Sequence, residues 1–348
     1  PYIFNERPDL KEKYYGFTFY SNALSHGGHT VFGSPALFGG YEYTPVEMNK
    51  RDKELLSSKH NEALKLMPAI FANAGYKVKV FDTPLNNYQG LTDLNFFKDY
   101  HNISVHINKG KLGAEGNTSD AQVVELNNRN FYCFAIFKCA PIIMQRFLYD
   151  GGHYLSGKVF NQEMTSLHNA FGTPMDFINS FDKLKYLTEM TKVVDEGNQF
   201  ISMVNYTPHT PCMLQMPEYV AENNVDNTQV EKKSISRVDE NGNVLKMTNK
   251  FHVSHYHTNM ATMLKIGEWL DHLKAIGVYD NTRIILVADH GWNLRHFEDW
   301  IVEDIKDGYG DIERYYPLLL VKDFDSKQFT TSNEFMTNAD VVSIATKG

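Results

Sequence analysis

Two stretches of the chain share one order of elements, in which an amphipathic helix, a glycine and an apolar strand follow one another. Apolar side chains recur every three or four positions from His255 to Ile276, Gly277 follows, and Ile284–Ala288 is an unbroken apolar run. His60–Ala74 and the alternating run Tyr76–Phe81 show the same order. Such periodicities indicate helix and strand. Because a helix that leads into a strand is the repeating unit of a parallel sheet, these stretches predict an α/β fold.

Apolar runs elsewhere predict further strands, at Gly16–Tyr20, Phe131–Phe137, Phe200–Val204 and Tyr316–Val321. We expect mostly helical structure between 138 and about Val194, and a helix from about Ser332. The alternation continues along the whole chain, so we predict one α/β domain over 1–348, with a central, mostly parallel sheet and helices on both faces. Residues 221–250 are polar and rich in turn residues, which predicts a surface insertion.

Composition narrows the function classes. With 34 Lys and Arg against 42 Asp and Glu, the formal net charge is −8. This argues against a nucleic-acid partner, because nucleic-acid binders carry a basic patch or stripe. The three cysteines, Cys133, Cys139 and Cys212, lack CxxC spacing and therefore indicate neither a disulfide framework nor a thiolate zinc site. No apolar run reaches the length of about 20 residues that a membrane span needs.

A glycine-rich stretch, Ser25–Gly40, holds five glycines around a short apolar run. Val31–Phe38 predicts about two helical turns, with Thr30 at the helix N-terminus. Unpaired N–H groups and the helix dipole favour an anion at that position. We therefore hypothesise that Thr30 is a nucleophile activated by a metal ion. A glycine-rich turn before a buried helix is the simpler alternative.

Polar clusters follow three of the predicted strands, at the edge of the sheet where open α/β sheets bind ligands. Thr30 follows the first strand, His209 follows Phe200–Val204, and Asp289-His290 ends the strand at 284–288. A carboxylate and an imidazole suit Zn²⁺ or Mn²⁺, and a metal-bound threonine alkoxide is a nucleophile at neutral pH. Each cluster alone also fits a structural turn or a surface histidine. Their common edge favours a site.

The same residues form recognisable motifs. Tyr279-Asp280-Asn281-Thr282, an apolar strand and Asp289-His290-Gly291 follow one another near the C-terminal end. Thr30 stands shortly before Pro35-Ala36-Leu37-Phe38, and His209-Thr210-Pro211 follows Asn205. In this order, the motifs resemble the alkaline phosphatase/sulfatase superfamily. They are most similar to its membrane-anchored branch, which includes phosphoethanolamine transferases and lipoteichoic acid synthases.

The resemblance spans about residues 17–321 and implies an alkaline-phosphatase-like fold. It implies Thr30 as the nucleophile and as a metal ligand, Asp289 and His290 as ligands of a Zn or Mn divalent cation, and His209 as a residue that contacts a second metal or the substrate phosphate. No cysteine is followed by the x-Pro-Ser-Arg pattern of sulfatases, so a plain sulfatase is disfavoured.

The resemblance also implies an acidic metal ligand on a strand upstream of the nucleophile. Residues 1–16 contain no apolar strand that ends in an acid, and the chain begins at Pro1 rather than Met. We therefore expect that strand, and membrane segments before it, to precede Pro1 in the whole protein.

Other histidines are candidate substrate contacts. His255 and His257 open the helix that leads into the strand at 284–288, and so they lie at the same edge of the predicted sheet. His29 flanks Thr30, and His296 follows the Asp-His-Gly motif. Partly exposed residues at the start of a helix are the alternative interpretation of His255 and His257.

The function implied by the resemblance is transfer of a phosphoryl-linked head group, of phosphoethanolamine or phosphoglycerol type, through a phospho-threonine intermediate. The donor would be a phospholipid-type phosphodiester and the acceptor a surface glycan, at the extracytoplasmic face of a bacterial membrane. Two alternatives stay open. One is a phosphodiesterase, phosphatase or sulfatase-like hydrolase that uses the same residues, and the other is a metal-poor pseudoenzyme that acts as a binding module.

Overall fold

The computed structural model describes residues 1–88, 92–107, 131–149, 174–194, 197–222, 225–231, 236–305 and 309–347. In these ranges the strands are β1 Phe17–Leu24, β2 Lys77–Phe81, β3 Ile103–His106, β4 Gln199–Met203, β5 Leu214–Gln215, β6 Val220–Ala221, β7 Ser236–Val238, β8 Val244–Lys246, β9 Ile284–Val287, β10 Leu319–Lys322 and β11 Thr330–Thr337. The helices are α1 Tyr2–Glu6, α2 Asp9–Lys13, α3 Thr30–Gly39, α4 Pro45–Asn49, α5 Leu56–Asn73, α6 131–139, α7 Ile142–Tyr149, α8 Pro174–Lys185, α9 Leu187–Met190, α10 Thr228–Glu231, α11 Lys250–Ala275 and α12 Val341–Thr346. None of these helices combines the length and the apolar character that a membrane span requires.

A four-stranded sheet contains β1, which precedes the glycine-rich stretch, and the two strands on either side of the Asp-His-Gly motif, β9 and β10. Its strand order is β11-β1-β10-β9. Strand β1 is parallel to β11 and antiparallel to β10, which is in turn antiparallel to β9. Because β1 and β9 point the same way, the residues that follow them, Ser25 and Asp289, lie at the same edge of the sheet.

A second sheet holds three parallel strands in the order β3-β2-β4. The single central sheet expected from the sequence is therefore two sheets within the described ranges. It is also less parallel than predicted, because β10 runs against both of its neighbours. The fold class, mixed α/β with helices packed on the sheets, is the one predicted.

Alternate side chains of the four-stranded sheet enter two hydrophobic cores, which places helices on both of its faces. Phe19, Leu286 and Leu320 pack into a core with α11 on one face. Val287 and Leu319 enter the core on the other face, which also contains side chains of α3, α5 and β2. The alternation follows from the two-residue period of a strand.

Two segments differ in type from the predicted elements. The run 131–137, predicted as a buried strand, is helical, and Phe131 is 78% exposed. A short apolar run does not distinguish strand from helix, which explains this error. The helix expected from about Ser332 is also wrong, because Thr330–Thr337 forms strand β11 and the helix begins at Val341. Pairing with β1 overrides the local sequence preference there.

The strand predicted at Phe200–Val204 is present as β4, but it is not buried. Ile201 is 59% exposed, and β4 is the edge strand of its sheet within the described ranges. The helical structure predicted up to about Val194 is present as α7, α8 and α9. The part of that prediction that falls on 150–173 lies outside the described residues.

An antiparallel hairpin, β7-β8, lies within 221–250. Asp239 closes its turn by accepting hydrogen bonds from the amides of Asn241 (2.9 Å) and Asn243 (2.8 Å). Leu245 is buried in the core beside α11. The assignment of 221–250 as a surface insertion into a single domain over 1–348 stays a prediction.

A buried lysine on β10 closes the turn between α11 and β9. Lys322 is completely buried, and its Nζ donates to the carbonyl oxygens of Tyr279, of Thr282 at 3.0 Å and of Asp280 at 3.4 Å. Burial lowers the Lys322 pKa, while the nearby Asp280 carboxylate opposes that shift. Lys322 therefore ties the Tyr-Asp-Asn-Thr turn to the neighbouring strand.

We expect Lys322→Met to lower the free energy of unfolding by about 2–4 kcal/mol, because it leaves buried carbonyl oxygens without a donor. Urea denaturation measures this change. Lys327→Met, which removes an exposed ion pair with Asp280 at 2.6 Å, is the control and should leave the free energy nearly unchanged. Equal effects of the two substitutions would contradict the role given to Lys322.

Candidate active site

Thr30 is the first residue of α3, directly after the glycine-rich turn that follows β1. The preceding His29 is extended, with φ −147° and ψ 154°, and its carbonyl oxygen accepts hydrogen bonds from the amides of Phe32 and Gly33. In the described part of the chain, the amides of Thr30 and Val31 donate to no group. These free N–H groups and the helix dipole give this end of α3 positive character.

His290 faces Thr30 from the end of β9. Its Nδ1 lies 2.6 Å from the carbonyl oxygen of Gly291. A nitrogen that donates to a carbonyl oxygen carries a proton, so in a neutral imidazole this contact would place the proton on Nδ1 and the lone pair on Nε2. That Nε2 lies 3.4 Å from Thr30 Oγ1 and 3.7 Å from Asp289 Oδ2. We call Thr30, Asp289 and His290 the Thr30 cluster.

Glycines allow the two halves of the Thr30 cluster to approach. A Cβ on Gly33, one turn into α3, would lie 2.4 Å from the carbonyl oxygen of Asp289. A Cβ on Gly291 would lie 2.1 Å from the carbonyl oxygen of Glu313. Neither separation is possible for a real side chain, so glycine is required at both positions for this backbone packing.

The Thr30 cluster suits a divalent cation in the kind and spacing of its donors. Zinc and manganese accept hydroxyl, carboxylate and imidazole ligands, and neighbouring ligands of a tetrahedral ion stand about 3.3–3.6 Å apart. The separations of 3.4 and 3.7 Å are close to that range. Across the described ranges, no group of three His, Cys, Asp or Glu side chains converges to hold a metal. Binding of a cation therefore depends on the Thr30 oxygen as well, and it stays a proposal.

A buried arginine lies beside His29. Arg314 Nε donates to the carbonyl oxygen of Gly28 at 2.8 Å, and its Nη2 donates to His29 Nε2 at 2.7 Å. The Tyr309 hydroxyl contacts the same nitrogen at 2.8 Å. Arg314 is only 9% exposed and forms no ion pair within the described ranges. Burial, and then the charge of Arg314, lowers the pKa of His29, so this imidazole is neutral at pH 7.

The loop after β4 approaches the site without joining the Thr30 cluster. His209 Nδ1 lies 2.7 Å from the carbonyl oxygen of Thr210, and its ring stands edge-on to Trp292 at 5.3 Å. Burial, with the added charge of Asp289 nearby, raises the pKa of Tyr206 in the same loop. No contact within the described residues connects the His209 ring with the cluster.

His296 and His255 belong to a second group of histidines. His296 Nδ1 lies 2.8 Å from Glu313 Oε1, its Nε2 is buried without a partner, and its ring lies 4.3 Å from that of His252. Part of the His255 residue is accessible to solvent, but protein atoms closely surround its imidazole. This burial lowers the pKa of His255 to about 4. In the described ranges, neither His255 nor His296 contacts the Thr30 cluster.

His257 lies elsewhere on α11. It is buried, and its Nδ1 lies 2.8 Å from the hydroxyl of Tyr219. Burial and the charge of Arg237 lower the pKa of His257. Of the four histidines predicted as substrate contacts, the structure thus brings only His29 directly to the Thr30 cluster, with its ring 6.2 Å from that of His290.

No protein-family model matches the chain, and no curated protein matches it. Among solved structures, the lipoteichoic acid synthase LtaP from Listeria monocytogenes matches with 9% identity and a TM-score of 0.47, over 98% of this chain and 64% of that chain. An alkaline phosphatase superfamily protein from Vibrio parahaemolyticus matches with 13% identity and a TM-score of 0.42, over 96% and 58%. The phosphonate monoester hydrolase of Agrobacterium radiobacter matches with 13% identity and a TM-score of 0.42, over 96% of this chain and 67% of that chain.

The lipoteichoic acid synthase and the Vibrio protein carry the names of groups that the sequence motifs resemble. The chain spans less than two thirds of the length of either protein. With TM-scores below 0.5, these similarities assign no activity to it. The case for function therefore depends on the geometry of the Thr30 cluster.

The sequence interpretation missed Arg314 and Asn338, two buried residues at this site. Arg314 belongs to no motif, and the only signal for it is a basic residue shortly before an apolar strand. Asn338 lies in the segment predicted as helix from about Ser332, where its approach to the end of β1 was not foreseeable. Both residues reach the site through contacts that are distant in sequence.

The low pKa of His255 predicts a dependence of stability on pH. A histidine has an ordinary pKa of 6.5, so with a folded value of about 4 the folded chain binds fewer protons than the unfolded chain between these values. The free energy of unfolding should therefore fall as the pH drops from about 7 to about 4.5, with His255 contributing up to about 1.4 kcal/mol per pH unit. Urea denaturation at a series of pH values measures the slope.

His255→Asn should flatten that slope, because it removes the group whose protonation opposes folding. The remaining slope should keep its sign, since burial also lowers the pKa of His252 and His257. His101→Asn, at an exposed position, should leave the slope as it is. A slope unchanged in His255→Asn would contradict the prediction.

Proposed function

We propose that this chain is the catalytic part of a metal-dependent phosphotransferase. It would move a phosphoryl-linked head group, of phosphoethanolamine or phosphoglycerol type, from a phospholipid-type donor to a surface glycan. The observation that carries the proposal is the Thr30 cluster, in which a hydroxyl at a helix N-terminus lies 3.4 Å from an imidazole lone pair beside a carboxylate. Such a hydroxyl suits nucleophilic attack on a phosphorus centre.

The reaction would run in two displacements at Thr30 Oγ1. In the first, an Oγ1–P bond forms, the bond from phosphorus to the donor's lipid alcohol breaks, and that alcohol leaves with a proton. In the second, an acceptor hydroxyl forms a bond to phosphorus, and the Oγ1–P bond breaks, which restores Thr30. A divalent cation held by Thr30, Asp289 and His290 would lower the pKa of the hydroxyl and offset the charge on the phosphoryl oxygens.

The surroundings of Thr30 favour an anionic substrate. The free amides of Thr30 and Val31 provide donors for phosphoryl oxygens. Arg314 adds a buried positive charge that no carboxylate neutralises within the described residues, and it donates to the ring of His29, the residue directly before Thr30. Buried charges are normally paired, so we propose that the substrate supplies the missing negative charge.

Two alternatives share parts of this site. With water as the acceptor, the same two displacements would make a phosphodiesterase, phosphatase or sulfatase-like hydrolase. A metal-poor binding module is favoured by one observation, that no third acidic or histidine ligand joins Asp289 and His290 in the described ranges. The extracytoplasmic location at a bacterial membrane remains part of the proposal and follows from the motif resemblance alone.

Trapping of the covalent intermediate tests the proposal. The protein is incubated with Mn²⁺ or Zn²⁺ and with phosphatidylethanolamine or phosphatidylglycerol, and then analysed by intact-mass and peptide mass spectrometry. We expect a head-group phosphate on Thr30, no adduct with Thr30→Ala, an adduct with Thr30→Ser, and loss of labelling in a chelator. Thr44→Ala, which changes a threonine at the start of another helix, directly before α4, is the matched control and should label normally.

The outcomes separate the candidate functions. A turnover rate that rises when glycan is added supports the transferase. A turnover rate that does not change with glycan, together with release of the free head group, supports a hydrolase. Turnover that persists in Thr30→Ala without an adduct contradicts the nucleophile assignment. Glycan binding without metal binding or turnover would favour the binding module.

We expect Arg314→Gln to weaken competitive inhibition by inorganic phosphate by about 10- to 100-fold, because hydrogen bonds to charged groups are worth about 1.5–3 kcal/mol each. Arg314→Lys keeps the positive charge but loses the planar guanidinium, so inhibition by phosphate should weaken less than in Arg314→Gln. Arg51→Gln, at a half-buried arginine that pairs with Glu54 and Glu62, is the control. An inhibition constant unchanged in Arg314→Gln would exclude Arg314 from anion binding.

A further inference from the structure

Asn338 is a buried amide between β11 and α12 that contacts three segments of the site. It is 1% exposed. Its Nδ2 lies 2.9 Å from the carbonyl oxygen of Gly33, 3.0 Å from Ser25 Oγ and 3.3 Å from the carbonyl oxygen of Asp289. Its Oδ1 accepts a hydrogen bond from the amide of His26 at 3.1 Å. The end of β1, the first turn of α3 and the end of β9 therefore meet at one side chain.

These contacts lie immediately behind the reactive groups. The Gly33 carbonyl belongs to the residue one helical turn after Thr30, and the Asp289 carbonyl precedes the amide of His290. Ser25 strengthens the junction, because its Oγ donates to the same Asp289 carbonyl at 2.5 Å. A shift of the Asn338 amide would therefore move Thr30 relative to Asp289 and His290.

Asn338 is itself held in place from both sides. Thr337, at the end of β11, pairs with Leu24 of β1. The Asp340 carboxylate accepts hydrogen bonds from the amide of Thr337 at 2.7 Å and from the hydroxyl of Tyr41 at 2.9 Å. Because Tyr41 follows the end of α3 after Gly40, this arrangement anchors Asn338 to β1 and α3, two of the three segments that it contacts.

We infer that Asn338 is a positioning residue, which sets the distance between Thr30 and the Asp289–His290 pair and so tunes the site for its cation and its substrate. The inference rests on the proposed function. Within the described residues, the Asn338 amide forms hydrogen bonds only with backbone groups and the Ser25 hydroxyl, so it acts through other residues. Outer groups of this kind orient the side chains that do the chemistry.

The chemistry of the position requires an amide. Nδ2 faces two carbonyl oxygens and a hydroxyl, while Oδ1 faces an N–H group, so the site needs donors on one side and an acceptor on the other. In Asn338→Asp the volume is kept, but a carboxylate oxygen would face the carbonyls of Gly33 and Asp289. Repulsion between these acceptors should push α3 away from the end of β9.

The test measures Mn²⁺ affinity by electron paramagnetic resonance on the full chain, together with kcat and KM. We expect Asn338→Asp to weaken Mn²⁺ binding by about 10- to 100-fold and to lower kcat more than it raises KM. Asn102→Asp is the matched control, since Asn102 Nδ2 also donates to a backbone carbonyl, that of Ala72 at 2.7 Å, away from the Thr30 cluster. It should cost stability and leave Mn²⁺ affinity unchanged.

The results distinguish this inference from the proposed function. Wild-type protein that binds no Mn²⁺ and forms no Thr30 adduct overturns the proposed function, and the inference with it. Wild-type protein that binds Mn²⁺, together with an Asn338→Asp variant that is less stable but equal in affinity and kcat, overturns the inference alone. Where Asn338→Asp does not fold, Ser25→Ala removes one partner of the amide. A smaller loss of Mn²⁺ affinity in that variant supports the inference, and an unchanged affinity overturns it.

Discussion

The site depends on one close backbone contact, in which the first turn of α3 lies against the carbonyl oxygen of Asp289. Gly33 permits the contact, because any larger residue would place a Cβ 2.4 Å from that oxygen. Ser25 and Asn338 satisfy the same carbonyl from the side. The contact joins the ends of two strands, β1 and β9, into one surface, on which a hydroxyl, a carboxylate and an imidazole converge. Loss of this approach would leave each group as an ordinary polar residue at the edge of a sheet.

The features that the sequence allowed us to predict are those that depend on local periodicity and on sheet geometry. The helix, glycine and strand units are present as α5-β2 and α11-β9, with strands close to their predicted bounds. The meeting of Thr30 with Asp289 and His290 followed from placing each after a strand that points the same way. The antiparallel β10, which was not predicted, leaves β1 and β9 pointing the same way, so the residues that follow them still meet at one edge.

The remaining features depend on contacts that no local pattern encodes. The segment 330–337 is a strand because it pairs with β1, some three hundred residues earlier in the chain. Arg314 and Asn338 enter the site through hydrogen bonds across similarly long separations. His209 was placed correctly on the loop after a strand, but the direction of its ring is set by Trp292, whose position depends on packing. Side-chain direction at a loop is decided by tertiary contacts, which a periodicity argument does not contain.

The antiparallel strand β10 determines where the chain can accept sequence changes beside the Thr30 cluster. Because Leu319 pairs with Val287, the chain leaves the sheet and re-enters it at one edge, and both ends of the connection between these residues are anchored there. The entropic cost of closing such a loop grows only slowly with its length. Insertions between Gly291 and Arg314 should therefore leave the sheet intact. Arg314 lies on this connection whereas Thr30 lies on α3, so anion recognition can change there while Thr30, Asp289 and His290 keep their places.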